Sequence, residues 1–274
     1  MAKALDSGTL TAPETHIGSL HMVRALRLAF GSVILLGATL FFLGTSWDIQ
    51  WHTYIGRDRT LIPPHIIMLL GITLCGISAL STVLIETFWA HRDAQVAQSS
   101  TQFADAFHGS LGAYIVGFGA LDSAIGFPLD SYWHSLYGID VQIWAPFHVM
   151  IIAGMAAAAL GAVYMFVSTA HLAVRDSAPL ARKLSHAGTL IALAVMLSTL
   201  TFLLFDAYGS MGTLTLALLP STFLLRLLHF LGFIALLPRR MPYPGAGQQR
   251  VSWPFHLSLS SSSGSMYHLL RPCL

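Results

Sequence analysis

The chain has 274 residues, 55% of them hydrophobic and 9% charged, where a soluble domain carries about a quarter charged residues. A mean hydropathy of +0.67 over the whole length excludes an ordinary soluble enzyme and fits a polytopic membrane protein. The net charge of +2 gives no basis for nucleic-acid binding, and Cys75 and Cys273 are too few for a disulfide framework or a thiolate metal site. The anomaly is histidine, with 13 against 12 carboxylates.

In chain order, residues 1–25 are mostly polar, carry no secretory signal, and read as an N-terminal cytoplasmic segment. Six apolar runs of about 20 residues or more follow, at 26–46, 62–89, 110–129, 143–170, 187–206 and 212–237. The expected fold is therefore all-α, a membrane helix bundle of about six transmembrane helices. Its units are a first helix hairpin at 26–91, a second at 110–170, a third at 187–237 and a tail at 239–274. The tail, with its Pro/Gly/Gln stretch and LSLSSSSGS, reads as disordered, and its abrupt change of character would also fit a shifted reading frame. Lys3, Arg24, Arg27, Arg92, Arg175, Arg182, Lys183, Arg239 and Arg240 fall on one side of such a bundle, and Arg57 and Arg59 on the other. The positive-inside rule then places both termini in the cytoplasm and the segments after spans one, three and five outside, the first two of which carry the informative pattern.

Those two outer segments are WDIQWHTYIGRDRTLIPPHIIMLLG and LDSYWHSLYGIDVQIWAPFHVMIIAG. With one residue inserted they match in order: Asp48 with Asp130, Trp51 with Trp133, His52 with His134, Gly56 with Gly138, Asp58 with Asp140, Pro63 with Pro146, His65 with His148 and Gly71 with Gly154. The sequence thus predicts a parallel internal repeat of helix-loop-helix units. A faint third copy around Asp206, Gly209 and Pro220 has Ser210 and Thr222 in the histidine positions.

Asp48 and His52 are four apart, which on a helix puts both on one face. His65 follows a Pro-x pair, so it falls in the first turn of the next helix. Asp130, His134 and His148 repeat the pattern with 14 residues before the last member instead of 13. Each set offers two imidazoles and one carboxylate, which suits copper, zinc or iron and leaves positions open for water or substrate. Copper is favoured by the affinity order of divalent ions, with one or two ions per chain. Asp58 and Asp140 could orient a ligand imidazole through its second nitrogen, or cap the next helix. Trp47, Trp51, Trp133 and Trp144 read as an interfacial aromatic belt.

Most other histidines need only headgroups or solvent: His91, His108, His171 and His186 near cytoplasmic ends, and His16, His21, His256 and His268 in the termini. Glu86, Asp122, Arg226 and His229 lie in or near spans. Arg226 and His229, three apart, share a helix face and could pair with a carboxylate such as Asp122 or carry a proton path.

The segment WDIQWHTYIGRDRTLIPPH, with its Asp-x-x-x-His, its Arg57-Asp58 pair and its Pro-x-His ending, resembles the copper-site region of the membrane C subunit of particulate methane and ammonia monooxygenases. The second set, with spacings four and 14, is similar to the one that follows in that subunit, although there it typically begins with Asn where this chain has Asp130. The likeness spans about residues 45–155. It implies two neighbouring copper sites near the outer face of a bacterial cytoplasmic membrane, other membrane subunits or a homo-oligomer as partners, and O2-dependent hydroxylation of a small apolar substrate or ammonia. The ligand chemistry alone also admits a zinc-dependent membrane lipid hydrolase, or a non-catalytic metal-handling or scaffold subunit with a bis-imidazole haem site as its variant.

Overall fold

The computed structural model describes residues 15–56, 59–138 and 143–206, with side chains from Leu20 to Leu203. The described chain runs α1 (Thr15–Tyr54), α2 (Pro63–Ala90), a short α3 (Ala94–Ser99), the antiparallel strands β1 (Thr101–Phe103) and β2 (Phe107–Gly109), α4 (Leu111–Tyr137), α5 (Pro146–Arg175) and α6 (Pro179–Asp206). Five of these helices are long and apolar enough to cross a membrane, as in an integral membrane protein. The sixth expected span, 212–237, and the tail lie outside the described residues, as do Asp58 and Asp140.

Local chemistry sets the helix ends. Pro63 and Pro146 open α2 and α5, where a missing N–H costs nothing and the ring fixes a helical φ. The residues before them, Ile62 and Ala145, have ψ of 158° and 138°, the extended backbone that proline imposes on its predecessor. Ser110 caps α4 by accepting from the backbone N–H of Ala113. Beyond α1 and α4 the chain turns at Gly56 and Gly138, with φ of +65° and +87°, which glycine adopts without a Cβ clash.

Two features differ from the sequence expectation. α1 continues as one 40-residue helix to Tyr54, past the expected end of the first span at residue 46, so the helix face that carries Asp48 and His52 is continuous with that span. Residues 94–109 form a short helix and a two-stranded hairpin where no element was expected.

Helix α1 packs along α2, α4 along α5, and α6 along α5, while α1 also meets α5 and α2 meets α4. The first two pairs cross at glycines. A Cβ on Gly71 would lie 2.5 Å from the Gly37 carbonyl oxygen, and one on Gly154 would lie 2.6 Å from that of Gly119. Between helices in lipid, where no hydrophobic force draws apolar faces together, such close backbone approach supplies the packing energy. Around these crossings Ile34, Phe41, Cys75, Val116, Met155, Met165 and Val195 form the core.

At the end opposite the loops of the α1–α2 and α4–α5 hairpins, Arg27 and Glu86 are buried together at 2% and 0% exposure. The pairing is bidentate: Arg27 Nε donates to Oε1 and Nη2 to Oε2, both at 2.7 Å, and Nη2 also donates to the Ser99 carbonyl at 3.1 Å. Arg27 is thus a bundle residue, in contrast to its placement among the flanking cytoplasmic charges. The pair ties α1, α2 and the end of α3 together.

Candidate metal centres

Both predicted ligand sets assemble. Asp48 and His52 occupy one face of the last turns of α1, and the first turn of α2 delivers His65 to the same point. Asp130 and His134 at the end of α4 meet His148 in the first turn of α5 in the same way. In each set the ligand atoms lie within 4.8 Å of one another, and all six residues are part-buried.

Asp48 Oδ1 is 3.5 Å from His52 Nε2 and 3.1 Å from His65 Nε2. Asp130 Oδ2 is 3.3 Å from His134 Nε2, and its Oδ1 is 3.2 Å from His148 Nε2. Donors bound to one ion at about 2.0–2.2 Å and roughly 90–110° apart are separated by about 3.0–3.5 Å, so these contacts have the length of a coordination-polyhedron edge. Asp48 Oδ1 and Asp130 Oδ1 are nevertheless buried without a hydrogen-bond partner, as is His52 Nδ1. Proximity without alignment is the arrangement of groups that face a common centre.

The second ring nitrogens sharpen the point. His65 Nδ1 lies 3.2 Å from the Thr60 carbonyl, and His134 Nδ1 lies 3.1 Å from the Gly138 carbonyl. A carbonyl only accepts, so each Nδ1 carries the proton, and in the neutral ring Nε2 presents its lone pair to the carboxylate. Two acceptors at 3.1–3.3 Å repel unless a cation or an added proton sits between them. The donor set and the orphaned oxygens both fit a divalent metal at each position.

The two centres are neighbours through α4. The His65 ring meets Phe127 edge-on at 5.3 Å, and Phe127 lies three residues before Asp130 on the same helix. A hydroxyl hydrogen bond of 3.2 Å joins Thr60, in the loop between α1 and α2, to Ser131 on α4. Trp47 and Trp51 stack edge-to-face at 6.3 Å, and Trp133 contacts Tyr137 and Phe147 at 4.4 and 5.8 Å, which gives this end an aromatic collar.

Spacing located all six side chains that the fold brings together but missed the Thr60 and Gly138 carbonyls, because backbone groups leave no mark in a side-chain pattern. The Arg27–Glu86 pair was also missed. Its signal was available: one charge near the start of the first apolar run and one near the end of the second, at the same end of an antiparallel hairpin. No protein-family model, curated protein or solved structure matches the chain.

Proposed function

We propose that this integral membrane protein is a copper-binding subunit that supports O2-dependent hydroxylation of a small apolar substrate or ammonia, with one ion held by Asp48, His52 and His65 and another by Asp130, His134 and His148. On this reading the α1–α2 and α4–α5 hairpins are copies of one repeated unit, the ligand end faces outward and the termini are cytoplasmic. The observation that carries it is the pair of matching two-histidine, one-carboxylate sets, whose buried carboxylate oxygens have no hydrogen-bond partner. The likeness of residues 45–155 to the C subunit of copper membrane monooxygenases supplies the reaction class.

Copper would supply the one-electron and O2 chemistry that no side chain can. The chain's own part is positional. The Thr60 and Gly138 carbonyls hold two imidazoles with Nε2 turned inward, two histidines and one aspartate leave further coordination positions open, and the apolar helices admit a substrate that partitions from the bilayer.

Element analysis of purified protein tests the reading. After copper loading we expect two ions per chain in the wild type, one in His52→Ala or His134→Ala, and none in the double variant. Less than one copper per chain, with the double variant indistinguishable from wild type, would refute it. Retention of zinc in preference to copper, with hydrolysis of a lipid amide or ester, would replace oxygenase chemistry with hydrolysis at the same ligands.

A further inference from the structure

Helices α2 and α4 meet through small residues. A Cβ on Gly76 would lie 3.7 Å from the Ala120 Cβ, and one on Gly117 would lie 3.7 Å from the Ala79 Cβ. On either side of that contact Leu80 and Phe118 stand exposed, so the pair forms the floor and walls of an apolar groove of about 550 Å³. The groove reaches from Val83 and Ala113 to Ile72 and Ala124, roughly 16 Å along α2 at 1.5 Å per residue. That is about half of the 30 Å hydrocarbon thickness of a bilayer, the depth of one leaflet. The β1–β2 hairpin roofs the end away from the metal centres: Phe107 lines the groove, and the Phe103 ring lies 5.5 Å from that of Tyr114 and 6.0 Å from that of Phe118. A spanning helix of a partner needs about 30 Å of run and about 10 Å of width and would strike this roof. An acyl chain of one leaflet needs neither.

The polar end of the groove is cationic. Alternation along the strands makes the hairpin two-faced: Phe103 and Phe107 pair on the groove side, and Gln102 pairs with His108 on the other. The hairpin thus marks the depth at which apolar surroundings give way to polar ones. There the Arg92 guanidinium rests 3.8 Å over the exposed Phe88 ring, and among the described residues it makes no ion pair. His91 Nδ1 lies 2.7 Å from the Thr87 carbonyl, which can only accept, so that nitrogen carries the proton. Ser100 Oγ donates to the Ala97 carbonyl at 3.0 Å and therefore accepts from His108 Nδ1 at 3.2 Å. The two rings stand edge to face at 6.1 Å, each with Nε2 left for a ligand. Of the nearby carboxylates, Asp93 caps α3 through the Gln95 N–H, and Asp105 lies in the turn of the hairpin. A guanidinium beside two imidazoles complements a phosphate, and its charge repels a metal ion.

We propose that the α2–α4 groove holds one anionic phospholipid, with its acyl chain against Gly76 and Gly117 and its phosphate at Arg92, His91 and His108. The proposal needs the helices to cross a bilayer and is independent of metal binding. Native mass spectrometry of the delipidated full-length chain in detergent, titrated with phosphatidylglycerol or phosphatidylcholine, tests it. One phosphatidylglycerol per chain is expected to bind about fivefold or more tighter than phosphatidylcholine, and Arg92→Gln to remove about fivefold of its affinity. Ala124→Phe, which fills the exposed inner end of the groove, should weaken both lipids by about tenfold. In vesicles, phosphatidylglycerol with a diazirine on its acyl chain should label 72–83 and 113–124 above the exposed leucines of α6, Leu184 and Leu197. Equal binding of the two lipids, no loss in the Arg92→Gln variant, even labelling of α6 and the groove, a dimer that buries Leu80 and Phe118, or a third copper ion lost with His108→Ala would each overturn the proposal. The His52→Ala, His134→Ala double variant should bind the lipid as wild type does, so the lipid site and the metal centres fail separately.

Discussion

The α1–α2 and α4–α5 hairpins solve the same problem at one end and different problems at the other. At the ligand end the correspondence is nearly residue for residue. Each has an aspartate and a histidine one turn apart, a glycine with positive φ, a proline opening the next helix, and a histidine two residues after that proline. Even the crossing points match: Gly37 with Gly71 in one hairpin, Gly119 with Gly154 in the other. At the far end the likeness stops. Arg27 and Glu86 are buried in the first hairpin, where the second has Gly109 and Thr169 at the same offsets, and Thr169 merely bonds back to the Met165 carbonyl at 2.8 Å. Only the end that gathers acidic and imidazole donors places the same demand on both hairpins.

The centres also differ in detail. In the first, the Thr60 carbonyl holds His65; in the second, the Gly138 carbonyl holds His134. The imidazole centroids are 6.2 Å apart in the first and 5.6 Å in the second, and His148 is 23% exposed against 13% for His65. Ser46, two residues before Asp48, returns its hydroxyl to the Phe42 carbonyl at 2.9 Å, while Pro128 at the equivalent place before Asp130 removes a helical N–H. The second centre thus has the more exposed histidine but the less exposed aspartate, 14% against 19%, and stands on a less tightly bonded helix.

The largest effect should come from the feature that only one hairpin has. Glu86→Gln leaves the Arg27 guanidinium buried without its counter-charge, and breaking a buried pair from one side costs about 3–5 kcal/mol. Removing both charges, as in Arg27→Met with Glu86→Leu, should recover most of that loss. Thr169→Val at the corresponding place should cost less than about 1 kcal/mol. Thermal unfolding in detergent checks the ranking; equal destabilisation by Glu86→Gln and Thr169→Val would remove the asymmetry.

Next come the crossings, where the hairpins should respond alike. Gly71→Val and Gly154→Val each drive a branched side chain into a backbone carbonyl that a Cβ alone would meet at 2.5–2.6 Å, so each should cost about 1–3 kcal/mol or more. A large difference between the two, read in the same unfolding assay, would show that only one crossing is rigid.

How far these features were legible follows from their physics. Apolar runs mark helices in lipid and a repeated spacing marks residues on one helix face, so five membrane-length helices and the clustering of both Asp-His-His sets could be read from the sequence. The continuation of α1 to Tyr54 could not be read from hydropathy: Asp48, Gln50 and His52 lower the local average, although a helix is closed by its own backbone hydrogen bonds whatever its side chains. The strands at 101–103 and 107–109 are too short for a period-two pattern to register. Arg27 looked like a flanking charge because a window sees only sequence neighbours, and its partner lies 59 residues away.

The smallest effect separates the two glycine turns. Gly56 and Gly138 both have positive φ and open space where a Cβ would go, so a methyl group strains the backbone without a clash. Gly138, at φ 87° and ψ −179°, lies in a region that is nearly exclusive to glycine. Gly138→Ala should therefore cost about 1–3 kcal/mol, and part of that strain can be relieved by rotating the peptide whose carbonyl holds His134 Nδ1 at 3.1 Å. Loss of such an orienting contact lowers metal affinity by about 10- to 100-fold, and the loss should fall on the second centre alone. Gly56→Ala, whose carbonyl holds neither His65 nor His134, should leave both affinities within about twofold of wild type. Competition with a graded series of copper chelators, in a His52→Ala background for the second centre and a His134→Ala background for the first, resolves the two. Equal weakening of both centres by Gly138→Ala would mean that the Thr60–Ser131 hydrogen bond and the His65–Phe127 contact couple them into one unit.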